Sequence, residues 1–271
     1  MHKLWTNCGE IKLIGMTRQK LKLGIVSALA EEQHGLIDVM LNKTQIIRGQ
    51  RTYTSGSLWG IDVVCVLSRI GKVAAAASTV TLIEHFGVTH LLFTGVAGSA
   101  VESLAIGDIV VAEELVQHDM DSSPLFPKFE IPMTGLSHFK TDRHLTTILQ
   151  QAVEIFFKED FLNAIHLKHR QDFALTRPNQ HHGLIASGDE FITSAKRMNQ
   201  IKQGLPATLA VEMEGAAVAQ VCVEFGLPFT VMRTISDSAN ESTPVDFAKF
   251  IETVASHYAF HIVKRTCMAL N

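Results

Sequence analysis

The sequence predicts one α/β domain built on a mixed sheet. Short apolar runs of strand length recur along its 271 residues and alternate with stretches of helical spacing. The composition is 46% hydrophobic and 19% charged, enough for a sizeable core without the bias of a disordered chain. Neither a linker nor a repeat with a period of roughly 20–50 residues divides it.

The elements follow in order. Residues 1–20 read as a flexible extension. They hold Lys and Arg but lack a continuous apolar stretch followed by a small-residue cleavage site, so no secretory signal is expected. The domain is expected over 21–271. Leu23–Ala28 is apolar enough for a buried strand, and a helix is expected over Glu31–Leu41. Tyr53–Trp59 and Ile61–Leu67 form a hairpin with Trp59-Gly60 near its turn. Lys72–His85, Ala-rich with Val, Leu and Ile at helical spacing, is an amphipathic helix. The strand Thr89–Thr94 runs into Gly95-Val96-Ala97-Gly98, and Asp108–Ala112 is another strand. Residues 122–182 are the least regular segment, punctuated by Pro124, Pro127, Pro132 and Pro178, with a helix over Leu145–Phe157 inside it. Leu209–Met213 is strand-like and leads into a helix over Ala216–Phe225. Pro228–Ile235 is a further strand, and residues 246–268 close the chain as a long helix.

Composition excludes several functions. A formal net charge of −3 without a dense basic block argues against a general grip on nucleic acid. No apolar run approaches the roughly 18 to 20 residues that cross a bilayer. Cys8, Cys65, Cys222 and Cys267 are far apart and form no CxxC, so neither a disulfide framework nor a zinc site is suggested, and a reducing, cytoplasmic compartment is expected.

Carboxylates at strand ends are the informative chemistry. Glu31 and Glu32 follow the first strand, where an open α/β sheet places its ligands. Glu212 and Glu214 flank Met213. Strand alternation would put both on one face, whereas a helix start would separate them. Asp237 follows Arg233-Thr234-Ile235-Ser236. By spacing alone, each also suits a helix cap or first turn. The Gly95–Gly98 segment and Ile70-Gly71-Lys72 would let backbone approach a ligand, yet neither matches a phosphate loop or a dinucleotide fingerprint, and tight packing explains them as well. His118, Asp119 and Asp121, or His181 and His182, resemble metal clusters. They match no ligand motif, and 13 histidines make chance neighbours common, so no metal is assigned. Phe126, Phe191 and Met213 suit stacking on a heterocycle but default to core.

Taken together, several segments resemble the 5′-methylthioadenosine/S-adenosylhomocysteine nucleosidases of the nucleoside phosphorylase superfamily. Leu23–Glu32 is similar to their opening strand and glutamate pair. Ile70-Gly71-Lys72-Val73-Ala74-Ala75-Ala76 is similar to IGKVAAA, Thr94–Gly98 to TGSAG, Gly107–Val111 to GDIVV, and Ser187–Ile192 to SGDxFI. Most specific are Val211-Glu212-Met213-Glu214-Gly215-Ala216-Ala217 and Arg233–Asp237, which resemble VEMEAxA and RxISD. The resemblance covers about 22–268.

It implies a three-layer α/β fold, a homodimer, and hydrolysis of an adenine N-glycosidic bond without a cofactor, serving adenine and methionine salvage, removal of inhibitory by-products, or formation of a quorum-signal precursor. By the same resemblance Glu32 activates water, Asp237 protonates adenine N7, and Glu214 binds the ribose hydroxyls. Ile70, Val96, Ala97, Gly98, Phe191, Ile192, Glu212, Met213, Arg233 and Ser236 fall on ligand-binding positions. The residue types suit the chemistry, because bond cleavage builds positive charge on the sugar and negative charge on the leaving base. An acid at N7 must hold a proton near neutral pH, which a free aspartic acid (pKa about 3.9) does not, so burial and hydrogen bonding are required of its site. Three positions depart from the family pattern: Ser27 for a common glycine, Arg69 for a small residue, and Val96 for a serine. Arg69 would suit phosphate or a carboxylated substrate. Phe93, where related phosphorylases carry an arginine, favours water over phosphate as nucleophile. A phosphate-dependent purine nucleoside phosphorylase and a non-catalytic nucleoside-binding protein remain the alternatives.

Overall fold

The computed structural model describes residues 20–33, 35–237 and 247–271. Among the described residues ten strands make one mixed sheet: β1 (Lys22–Ser27), β2 (Leu41–Arg48), β3 (Arg51–Leu58), β4 (Ile61–Leu67), β5 (His90–Ser99), β6 (Ile109–Gln117), β7 (His138–Lys140), β8 (Gln180–Ser187), β9 (Thr208–Glu212) and β10 (Phe229–Asp237). Their order is β10-β6-β8-β9-β5-β1-β4-β3-β2, with β7 paired to β6. β10 also pairs with β5, so β10, β6, β8, β9 and β5 close on themselves and β1, β4, β3 and β2 extend from that ring. β1 lies parallel to both β4 and β5, and β5 parallel to β10.

The helices are α1 (Leu36–Val39), α2 (Lys72–Glu84), α3 (Arg143–Ile155), α4 (Phe161–Ala164), α5 (Leu167–Asp172), α6 (Ala195–Gly204), α7 (Gly215–Glu224), α8 (Phe247–Phe250) and α9 (Ser256–Leu270). Strand alternation sorts the core into two faces. Leu23, Ile25, Val63 and Cys65 pack with α3 and α9 through Leu149, Tyr258 and Ile262. Val26, Val64 and Val66 pack with α2 and α7 through Ala75, Leu82, Ala216 and Cys222. Helices thus cover both faces of the sheet, which is why β1 and β4 are largely apolar, with Leu23–Val26 and Val63–Leu67 as their continuous stretches.

The hairpin forms at the expected turn. Trp59 (φ 46°) and Gly60 (φ 88°) both take the left-handed conformation that a two-residue connection requires. The structure departs from expectation at Glu31–Leu41. A short 3-10 turn at Glu31–Gln33 and the four-residue α1 replace one helix, with Gly35 at φ 78° before α1. Leu41 then opens β2, an exposed edge strand that alternation did not reveal because neither of its faces is buried. β5 runs through the glycine-rich segment rather than stopping at Thr94, and β6 reaches Gln117. The 122–182 segment contains β7, α3, a π turn at Phe156–Asp160, α4, α5 and the start of β8. The terminal helix is α8 and α9 joined by a π turn at Ile251–Ala255. The expected N-terminal extension lies outside the described residues except for Lys20, as do Cys8 and Asp246. Among the described residues no helix is long and apolar enough to cross a membrane.

Candidate active site

The ends of β1, β5, β9 and β10 meet at one cleft that is partly open to solvent. Glu32 enters from the 3-10 turn after β1 and is buried. Its Oε2 accepts hydrogen bonds from Ala28 N (2.8 Å) and Leu29 N (3.0 Å), and its Oε1 from Val96 N (3.1 Å). Burial raises the Glu32 carboxyl above its ordinary value, while these N–H donors and the nearby Arg233 guanidinium oppose that rise. Gly95 permits this approach, since a Cβ there would lie 2.8 Å from Glu32 Oε1 and 3.2 Å from Arg233 Nη1.

Glu212 ends β9 and caps α7. Its carboxylate accepts from Glu214 N (3.1 Å), from Gly215 N (2.8 and 3.0 Å to its two oxygens) and from Ser187 Oγ. Arg233 Nη2 lies 2.7 Å from Glu212 Oε2, with both side chains almost wholly buried. The Arg233 guanidinium stacks 3.9 Å from the Phe93 ring centroid. Glu214 stands just before α7, where the chain leaves strand geometry, and turns to accept Gly71 N at 2.8 Å. The helix start therefore separates the tasks of the two glutamates, although both carboxyls border the cleft. Asp237 ends β10, where Ser236 Oγ donates to its Oδ2 at 2.8 Å.

Apolar side chains complete the walls. Ile70, Val96, Ala97, Gly98, Phe191, Ile192 and Met213 line the cleft, as do Ala28, Leu29, Val211, Glu190 and Phe247, which sequence reasoning missed. Phe191 meets Phe247 edge-on with centroids 6.0 Å apart. Ala28, Leu29, Val211 and Glu190 all lie within the family-like segments, and Glu190 pairs with Arg197 Nε at 2.7 Å. Arg233, expected among the substrate-binding residues, does not line the cleft. It is buried behind Glu212 and Glu32, held there by its ion pair and by Phe93. Phe126 is likewise absent from the lining, and Glu31 borders a neighbouring cavity.

Three members of the candidate metal clusters have other partners. Asp119 binds Lys72 Nζ (2.6 Å) and Asp189 N (3.0 Å), Asp121 accepts from Ser123 N, and His181 Nε2 lies 3.1 Å from Asp108 Oδ2. Among the described residues no three His, Cys, Asp or Glu side chains converge as a metal site.

Residues 22–266 match the family described as the phosphorylase superfamily. A 5′-methylthioadenosine/S-adenosylhomocysteine nucleosidase from Shewanella frigidimarina is 36% identical over 243 residues, 90% of this chain and 97% of the relative. The chain belongs to the 5′-methylthioadenosine/S-adenosylhomocysteine nucleosidase family of that superfamily. Two solved structures of the same fold are informative. The nucleosidase from Neisseria meningitidis, in complex with methylthio-immucillin-A, is 30% identical with a TM-score of 0.80, covering 92% of this chain and 99% of that one. A futalosine hydrolase from Helicobacter pylori is 33% identical with a TM-score of 0.76, covering 90% and 97%.

This nucleosidase-family cleft concentrates negative charge, which perturbs Glu214 most legibly. Burial, then repulsion from Glu212, outweighs Arg233 and the Gly71 N–H and pushes the Glu214 carboxyl up to about 8. A carboxyl whose folded value lies above its unfolded one favours folding while it is protonated. That contribution is fully present below 4.5 and is lost as pH rises to about 8. Glu214→Gln keeps an oxygen for Gly71 N and removes the charge. We therefore expect thermal melts of the ligand-free protein to show the variant gaining on wild type as pH rises, reaching several degrees at alkaline pH. A constant difference across that range would contradict the expectation.

Proposed function

We propose that this chain hydrolyses the N-glycosidic bond of 5′-methylthioadenosine and S-adenosylhomocysteine, releasing adenine and a 5-thioribose derivative. The observation that carries this reading is that Glu32, Glu214 and Asp237 border one cleft whose described lining includes no lysine or arginine. Such a cavity suits a substrate on which positive charge develops, and it repels phosphate.

In the proposed reaction, water attacks C1′ as the bond from C1′ to N9 breaks and its electron pair leaves with the base. Glu32 takes the proton from water. Every hydrogen bond it makes is accepted, as a carboxylate requires, and its raised value makes it a stronger base than a free glutamate. Asp237 gives its proton to N7, so adenine departs neutral. Glu214 accepts from a ribose hydroxyl, and in its ionised form it favours the cationic sugar electrostatically. Phe191 and Met213 face the heterocycle and sugar from the apolar wall. Solvent exchange returns the proton from Glu32 and reprotonates Asp237, with no net change in the enzyme.

The phosphorylase alternative lacks support in the cleft. Phe93 is fully buried beneath Arg233, and that guanidinium is engaged by Glu212. A homodimer belongs to the same reading, and exposed Val73, Leu125 and Met133 supply apolar surface for it. The deciding experiment is adenine release from both nucleosides in phosphate-free buffer, repeated with phosphate. Release at the same rate in both buffers is expected. Release only with phosphate would replace this reading with the phosphorylase, and no release would leave a binding protein or a different nucleoside.

A further inference from the structure

A second cavity adjoins the cleft. It shares Ala28, Leu29 and Ile70 with it and is otherwise lined by Ala30, Gln50, Arg51, Thr52, Leu67 and Arg69. Where the cleft is acidic, this annex is basic. Arg51 donates from Nε to Ser68 O (3.0 Å) and from Nη1 to Gly49 O (3.0 Å), while Arg69 donates from Nη2 to Gln50 O (2.7 Å). Each guanidinium is thereby fixed on backbone carbonyls, and neither pairs with a carboxylate among the described residues. A third arginine, Arg48, stands directly opposite Arg51 across the β2–β3 pair. Like charges so placed destabilise a sheet unless an anion relieves them. Arg69 is also held at φ 70°, a left-handed conformation that a residue with a Cβ adopts only at a steric cost. Strain of this sort persists where it positions a functional group.

Resting on the nucleosidase reading, we propose that Arg69, assisted by Arg51, binds the carboxylate of a 5′ thioether chain and so selects S-adenosylhomocysteine over 5′-methylthioadenosine. The two nucleosides share adenine and ribose and differ only beyond the sulfur, where the homocysteinyl chain carries a carboxylate and an ammonium. In the cleft, with Glu32, Glu190, Glu212, Glu214 and Asp237 on its walls, that carboxylate would be repelled. Past Leu29 and Ile70 it meets two fixed guanidinium groups. The ammonium finds its own attraction in the acidic cleft, so the annex and the cleft together match a zwitterionic tail.

The test compares kcat/KM for S-adenosylhomocysteine, its decarboxylated analogue and 5′-methylthioadenosine, in wild type, Arg69→Ala and Arg69→Gly. Glycine relieves the left-handed strain, so this variant separates lost recognition from lost folding. The ratio of S-adenosylhomocysteine to 5′-methylthioadenosine is expected to fall about three- to tenfold in both variants, the effect of a partly exposed charge pair, and to fall in wild type with added salt. The ratio for the decarboxylated analogue should stay as in wild type. An unchanged S-adenosylhomocysteine ratio, or an equal fall for the decarboxylated analogue, would overturn the proposal while leaving the nucleosidase reading intact. Turnover of no substrate by wild type would overturn both.

Discussion

Asp237→Asn is expected to slow adenine release by about 10²- to 10⁴-fold, with the loss in kcat rather than KM. The substitution preserves size, and its amide oxygen can still accept from Ser236 Oγ, which now holds Asp237 Oδ2 at 2.8 Å. It cannot deliver a proton to N7. The leaving group therefore departs as an anion in a cleft already crowded with carboxyls. A riboside whose leaving group departs readily without protonation separates this account from a structural one. On such a substrate the Asn variant should recover most of its rate. Glu32→Gln should not recover, because in the proposed scheme what it lacks is the activation of water. The pH profile provides a further check. In the proposed scheme Glu32 acts as a carboxylate, and burial raises it, so kcat/KM should fall with acid at a pH above the ordinary glutamate value of 4.5. Near-normal turnover by Asp237→Asn would remove the acid from the scheme.

The contrast between legible and illegible parts has a physical origin. Strands buried on both faces, such as β1 and β4, announce themselves by largely apolar residues, and the positive-φ pair Trp59-Gly60 marks its own turn. β2 has no buried face and so carries no such signal. At the site, Glu32, Glu214 and Asp237 were visible because carboxylates at strand ends are chemically conspicuous. Ala28, Leu29 and Val211 line the cleft with ordinary core residue types, and Phe247 arrives from the far end of the chain, so only the fold brings them together. Arg233 shows the limit from the other side. Its motif placed it near the chemistry, but its position behind Glu212 depends on a stacking contact with Phe93, 140 residues away in sequence by subtraction of their numbers, which no local pattern encodes.

That placement makes Arg233→Met the substitution with the largest expected effect on folding. Removing the guanidinium leaves Glu212 buried without its cation, a loss of about 3–5 kcal/mol for a broken buried pair. For a chain of this size the melting temperature should fall on the order of 10 °C. Methionine preserves apolar contact with Phe93, so the loss reports the charge rather than a cavity. Adding Glu212→Gln to that variant removes the stranded charge and should restore part of the stability, and a double-mutant cycle measures the recovery as coupling. Additive losses would mean that the helix N-terminus and Ser187 alone satisfy Glu212. A readout at the reaction centre distinguishes positioning from mere support. Arg233 also lowers Glu32 electrostatically, across the gap that Gly95 leaves open. Its removal should therefore carry the acid limb of kcat/KM to higher pH in whatever fraction remains folded, whereas a residue that only stabilised the fold would leave that limb where it was.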